Sequence, residues 1–259
     1  MQIAHPKVAE GVANHSRFSK DPIGRLYQTM NSMWSILFDE LPEAQASVQR
    51  VKQIHRRVQG TFKESDVLPA GTQYDAQDPD LLLWVHATLV DSAIVTYELF
   101  VKPLAVDDKR EHYEETKKLA ILLGVPEGKI PASLEDFHAY MGEMIESDTL
   151  SVGFKARSIA KEILHPKPLV LKIGGPLSAF ITNGLLPPRL RREYDLTWNS
   201  RKESLLQFLA FTTRGILPFV PQVLRIVPQA RAAQKRSASF CDRRSTQWQR
   251  SRHQKRDEA

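Results

Sequence analysis

An all-α fold is expected for residues 1–228, followed by a basic tail, and three observations carry that reading. Apolar residues recur at three- and four-residue spacing along nearly the whole chain, which is the period of an amphipathic helix. Proline, often as Asp-Pro or Gly-x-Pro, punctuates the intervals at places where it starts or stops helices. No stretch alternates polar and apolar residues as a half-buried strand does, and neither a hairpin nor an internal repeat stands out.

Taken in order, Pro6 opens a first helix to about Ser16, with Val8 and Val12 on one face. Asp21-Pro22 is a cap-plus-N1 start for a second helix that carries Ile23, Leu26, Met30, Met33, Trp34 and Leu37 inward. After Leu41-Pro42 comes the basic stretch VQRVKQIHRRVQG, read as one helix over 48–60. A polar loop over roughly 61–76 leads to Asp78-Pro79 and the segment LLLWVHATLVDSAIVTYELFV, apolar nearly all round and so placed at the centre of a core. Asp107 to Leu123 is amphipathic and closes at Gly124-Val125-Pro126, and Ser133 caps a helix to Glu146 with Asp136 at its N3 position. Further helices are expected near 153–164, 169–185 and 200–214.

The charge of +6 belongs to the tail: residues 229–259 hold nine Lys or Arg against three Asp or Glu, leaving 27 of each sign before them. With few apolar residues and no periodicity, the tail is expected to be disordered and solvated. A basic arm can touch nucleic acid or anionic lipid. No recognition fold or regular aromatic interleaving accompanies this one, so specific nucleic-acid binding is not expected and membrane contact is left as an option. Cys241 is the only cysteine, which removes disulfide frameworks, Cys-based zinc sites and covalent haem attachment. Neither a signal peptide nor a run of about 18 apolar residues is present, so a cytoplasmic location is expected.

Three features could carry chemistry. On a helical wheel, His55 falls with Val48, Val51, Ile54 and Val58, while Arg50, Lys52, Arg56 and Arg57 take the other side. His86, in the central helix, is surrounded on the wheel by Leu82, Leu83, Leu89, Val90, Ala93 and Tyr97. A lone histidine on an apolar face is more often a hydrogen-bonded core residue than a ligand, but two on different helices raise the odds of a shared cavity. Arg25 and Thr29 stand one turn apart on one face, with Met33 and Ile36 beside them. A partly buried arginine needs an accepting partner, which a neighbouring carboxylate, a cofactor propionate or a bound oxygen species could supply. Glu135-Asp-Phe-His138 fits Glu-x-x-His, but a di-iron bundle needs a second copy that the chain lacks.

The blocks QIAHPKVAEGVANHSRF, DPIGRLYQT, IHRRVQG, YDAQDPDLLLWVHATLVDS and LLPPRLRREYDLTW, in this order and spacing, resemble the catalytic domain of rubber oxygenases (latex clearing proteins) and MpaB-type oxygenases. The resemblance covers about 1–230 and implies a globin-like helical domain holding haem b without a covalent bond. It implies an oxygenase that uses dioxygen on a hydrophobic, unsaturated, isoprenoid-like substrate. On this chain His55 matches the axial haem ligand, Arg25 and Thr29 match the polar pair close to the haem, and His86 matches a further cofactor-side position.

Two departures stand out. Latex clearing proteins carry a lysine just before the threonine, where this chain has Gln28, a poorer iron ligand, so the same gating is not expected. Family members usually have another helical stretch before QIAHP, so a truncated N-terminal side, with a wall of the pocket missing, is the expectation from this resemblance. Two other classes remain open: a catalytically silent helical scaffold or binding module of the same fold, and a non-haem metalloenzyme using His55 and His86.

Overall fold

Residues 1–15, 22–164 and 174–239 are described by a computed structural model, and their backbone is helical apart from one short hairpin. The organising element is α4 (Pro79–Phe100), whose N-terminus is fixed by chemistry legible in the chain. The Asp78 carboxylate accepts from the Asp80 N–H at 3.0 Å, and proline occupies the first turn, where its missing N–H costs nothing. Trp84 on α4 is fully buried, and its indole N–H donates to the Gln2 carbonyl at 3.1 Å, which ties the N-terminal segment to the core.

Around α4 pack α1 (Pro6–His15), α5 (Val106–Leu123), α6 (Leu134–Glu146), α7 (Phe154–Leu164) and α9 (Pro188–Glu193). Their inward residues, including Tyr113, Phe137, Met141 and Leu190, close on Trp84, Ala87 and Val90 together with Leu150 of the segment between α6 and α7. Each large side chain buried this way contributes about 1.5–3 kcal/mol of transfer free energy. A satellite cluster of Leu83, Ala120, Val125 and Ile130 sits where α5 ends, at Gly124, whose φ of +115° is the left-handed C-cap that favours glycine. Ser133 and Asp136 form the expected capping box at the start of α6. α8 (Gly175–Leu185) and α10 (Ser200–Ile216) complete this side, where the Arg214 guanidinium donates to the carbonyls of Glu98 and Leu99 at the end of α4.

The structure corrects several expectations. The basic stretch is not one helix: α3 (Leu41–His55) stops at the histidine, and β1 (Gln59–Thr61) pairs antiparallel with β2 (Gln73–Asp75). Three-residue strands are too short for alternation to register, so the loop read as unstructured hides a hairpin. α2 (Pro22–Phe38) leaves Met30 and Leu37 exposed, because its main partner among the described elements is α3. On α4, Leu89 and Tyr97 are exposed rather than inward. α9, α11 (Gln222–Arg225) and a last helix, α12, over 228–239 were not expected, so the first part of the presumed tail is helical. Ser16, Asp21 and the start of the 169–185 helix lie outside the described residues, as does the tail beyond residue 239.

Candidate functional site

His86 is the buried polar group with the least support from its surroundings. It is 5% exposed, and neither Nδ1 nor Nε2 has a hydrogen-bond partner among the described residues. Burial pushes its imidazole down to about 4, so the ring is neutral at neutral pH. An unpaired polar group in a core costs about 1–3 kcal/mol, and its retention calls for a compensating role.

His55 is the last residue of α3 and is half-buried, and burial lowers its pKa too. Its position is fixed by the chain that follows: the Val58 N–H donates to the His55 carbonyl and the Ala76 N–H to the Val58 carbonyl, each at 2.9 Å. The hairpin therefore anchors the end of the helix that presents the imidazole. Ile54, its neighbour on the wheel, is exposed, so the apolar face of α3 opens towards solvent at this end.

Arg25 and Thr29 lie one turn apart on α2, which packs along α3, so three of the four expected site residues belong to one helical hairpin. The side chain of Arg25 lies outside the described residues, Thr29 and Gln28 are exposed, and Met33 and Ile36 are half-buried. The structure thus places Thr29 on an open helix face, not in a closed pocket. His86 stands on α4, in the core proper.

A cavity of about 280 Å³ borders α4 through Thr88, Leu89 and Ser92. Ile3, Ile163, Leu186 and Leu196 supply apolar wall, and none of Arg25, Thr29, His55 or His86 lines it. Tyr194 lines it as well; its hydroxyl is buried without a partner among the described residues, and burial raises the phenol pKa, so it stays a donor. Periodicity gave no sign of Tyr194, which sits in a short, charged helix-end segment.

No group of three or more His, Cys, Asp or Glu gathers to hold a metal among the described residues. A haem iron asks less of the chain, since the porphyrin supplies four ligands and the protein one or two. The donor chemistry present fits that group: two neutral imidazoles, one of them with both nitrogens unpaired in an apolar core.

The family model described as "ER-bound oxygenase mpaB/B'/Rubber oxygenase, catalytic domain" matches residues 1–215. The chain belongs to this family. As a member of the MpaB/rubber oxygenase family it carries an oxygenase-type catalytic domain, and its all-α architecture agrees with that assignment. Two curated relatives are the uncharacterized protein Rv2237 of Mycobacterium tuberculosis and the uncharacterized protein Mb2261 of Mycobacterium bovis. Each is 28% identical over 162 residues, which is 62% of this chain and 61% of the relative, so the match spans under two thirds of either protein. No solved structure matches.

Proposed function

We propose that this MpaB/rubber oxygenase family chain is a haem b-dependent oxygenase that acts with dioxygen on a hydrophobic, unsaturated substrate of isoprenoid type. The observation that carries the reading is His86, a buried neutral imidazole with two unpaired nitrogens in a family whose chemistry is oxygenation. Haem, when bound, supplies the iron at which dioxygen is taken up. The rest falls to residues of this chain.

His55, held at the end of α3 by the β1–β2 hairpin, would hold the haem iron; its lowered pKa keeps a ring nitrogen lone pair available. Arg25, as a permanently cationic residue type, would pair with a propionate or another anionic oxygen, and Thr29 one turn along would donate a hydrogen bond. His86, on α4, would serve the cofactor as a neutral donor or acceptor. The apolar residues of α2 and α3 that the fold leaves uncovered, Met30, Leu37 and Ile54, suit a large apolar group and exclude water from it.

The orphaned nitrogens favour a second assignment within this reading, with His86 on the iron and His55 outside. Absorbance of the purified full chain reconstituted with haem separates the two. His55→Ala is expected to abolish or shift the Soret band while His86→Ala keeps most of it. The reverse pattern moves the iron to His86, and spectra unchanged by haem in the wild-type chain reduce it to a silent scaffold.

A further inference from the structure

α10 is apolar on two opposite faces. Leu206 and Ala210 are buried against the body, while Leu205, Phe208, Phe211 and Ile216 point the other way and are 49%, 63%, 76% and 57% exposed. At about 100° per residue the exposed four centre almost diametrically opposite the buried pair. A helix that is hydrophobic all round is ordinarily covered all round. The exposed stripe continues past the helix end into Phe219, Val223 and Leu224, which are 86%, 55% and 76% exposed.

Charge decides what suits this face. Between Glu203 and Asp242 there is no acidic residue, whereas Arg214, Arg225, Arg231, Lys235 and Arg236 all fall there, Arg214 turned to the end of α4 and Arg236 to Glu40, and the sequence beyond adds six basic residues against three acidic ones. Within the stripe the Thr212 hydroxyl is satisfied by the helix itself, donating to the Phe208 carbonyl at 2.8 Å, while Arg201 and Ser204 mark its polar N-terminal end. From Leu205 onward, burial of this side in an apolar phase therefore strands no side-chain donor of the stripe. No described helix is long and apolar enough to cross a membrane. An apolar stripe followed in the chain by a run of cations suits an interfacial helix.

We propose that the outer face of α10, with Phe219 and the α11 segment, docks on the surface of a bilayer containing anionic phospholipid. The apolar stripe enters the headgroup–acyl boundary, and the basic segment after it draws the chain to the surface through the negative potential there. Aromatic residues suit that boundary, and the three phenylalanines supply most of the area. The proposal stands independently of haem, so its success or failure leaves the reading of His55 and His86 untouched.

The test uses the full chain and sedimentation with vesicles of phosphatidylcholine alone or with about a third phosphatidylserine. Expected is binding to the anionic vesicles that falls at high salt and drops at least about tenfold in Phe211→Ser/Phe219→Ser. Both positions are exposed, so the variant should keep its circular dichroism and melting temperature. Equal binding by the variant, or none by wild type to anionic vesicles, overturns the proposal. So does a concentration-dependent dimer in solution that the same double substitution dissolves, since a second copy then covers the face.

Discussion

The phenol ring of Tyr74 occupies the space that a side chain at Gly60 would need. A Cβ built on Gly60 would lie 2.7 Å from the Tyr74 hydroxyl oxygen and 3.0 Å from its Cζ, and the two residues face each other in the β1–β2 register. The same hydroxyl accepts from Asn14 Nδ2 and pairs with His15 Nε2, both at 3.1 Å, so it cannot swing aside freely. The glycine that closes IHRRVQG is thus set by close approach of a ring from the partner strand, which is what a glycine inside a strand often marks. Gly60→Ala is expected to lower stability by about 2 kcal/mol, through displacement of the ring and loss of its hydrogen bonds. Combined with Tyr74→Phe, which removes the nearest atom, the loss should be smaller than the sum of the two single losses. Urea melts of the three variants check this, and strict additivity would show that the contact relaxes at no cost.

Lys155 reaches from α7 to α1 and places its Nζ 2.6 and 2.8 Å from the two carboxylate oxygens of Glu10. Glu10 is only 2% exposed, and Asn14 Nδ2 donates to it as well, so the carboxylate has left water and depends on these partners. Removing one member of such a pair strands the other. Lys155→Met is expected to cost about 3 kcal/mol, with much of that recovered when Glu10→Leu is added. Chemical denaturation of the single and double variants measures it. If Lys155→Met alone melts like wild type, the pair does not hold α1 on α7.

The long helices were legible because their apolar periodicity runs over several turns and their starts carry local chemistry, as at Asp78-Pro79 and Ser133. His86 was legible as buried because nearly every position around the middle of α4 is apolar. Thr29 and Leu37 were not legible as exposed. A helical wheel says which residues share a face but not whether another layer of the fold covers that face, and among the described elements α3 is the main partner of α2. The end of α3 at His55 was missed for a related reason: the hydrogen bonds that end it run to residues near 76, beyond any local window.

Arg189 shows how a structural role hides in a basic run. In LPPRLRRE it resembles its neighbours, yet its guanidinium donates to the carbonyls of Ile145, Ser147 and Leu150 and pairs with Glu193 at 3.1 Å. Those three carbonyls end α6 and begin the segment leading to α7, so one planar fork closes the turn between them. Lysine has the charge but not the fork. Arg189→Lys is expected to lose about 2 kcal/mol, while Arg192→Lys, an exposed neighbour, should lose almost nothing. Equal melts for both variants would remove the special role of Arg189.

His86 and His5 should make the folded chain more stable as pH rises from 4 towards 6.5. Burial pushes both imidazoles down to about 4, assisted at His5 by the Lys7 charge, whereas the unfolded chain titrates near 6.5. Within that window the unfolded state binds more protons than the folded state, so stability increases with pH and then levels off. Each histidine accounts for on the order of 3 kcal/mol between the two ends. His86→Phe, of similar volume, removes one share of this slope and also the unpaired nitrogens. The haem-free variant should therefore be more stable than wild type at neutral pH by about 1 kcal/mol, and by more at pH 5. A residue kept at a cost to the empty fold is the signature of a group that serves a ligand. Thermal melts from pH 4 to 8 decide the point: parallel curves for wild type and variant would mean that His86 is hydrated after all, and would withdraw the observation on which its role in the cofactor site rests.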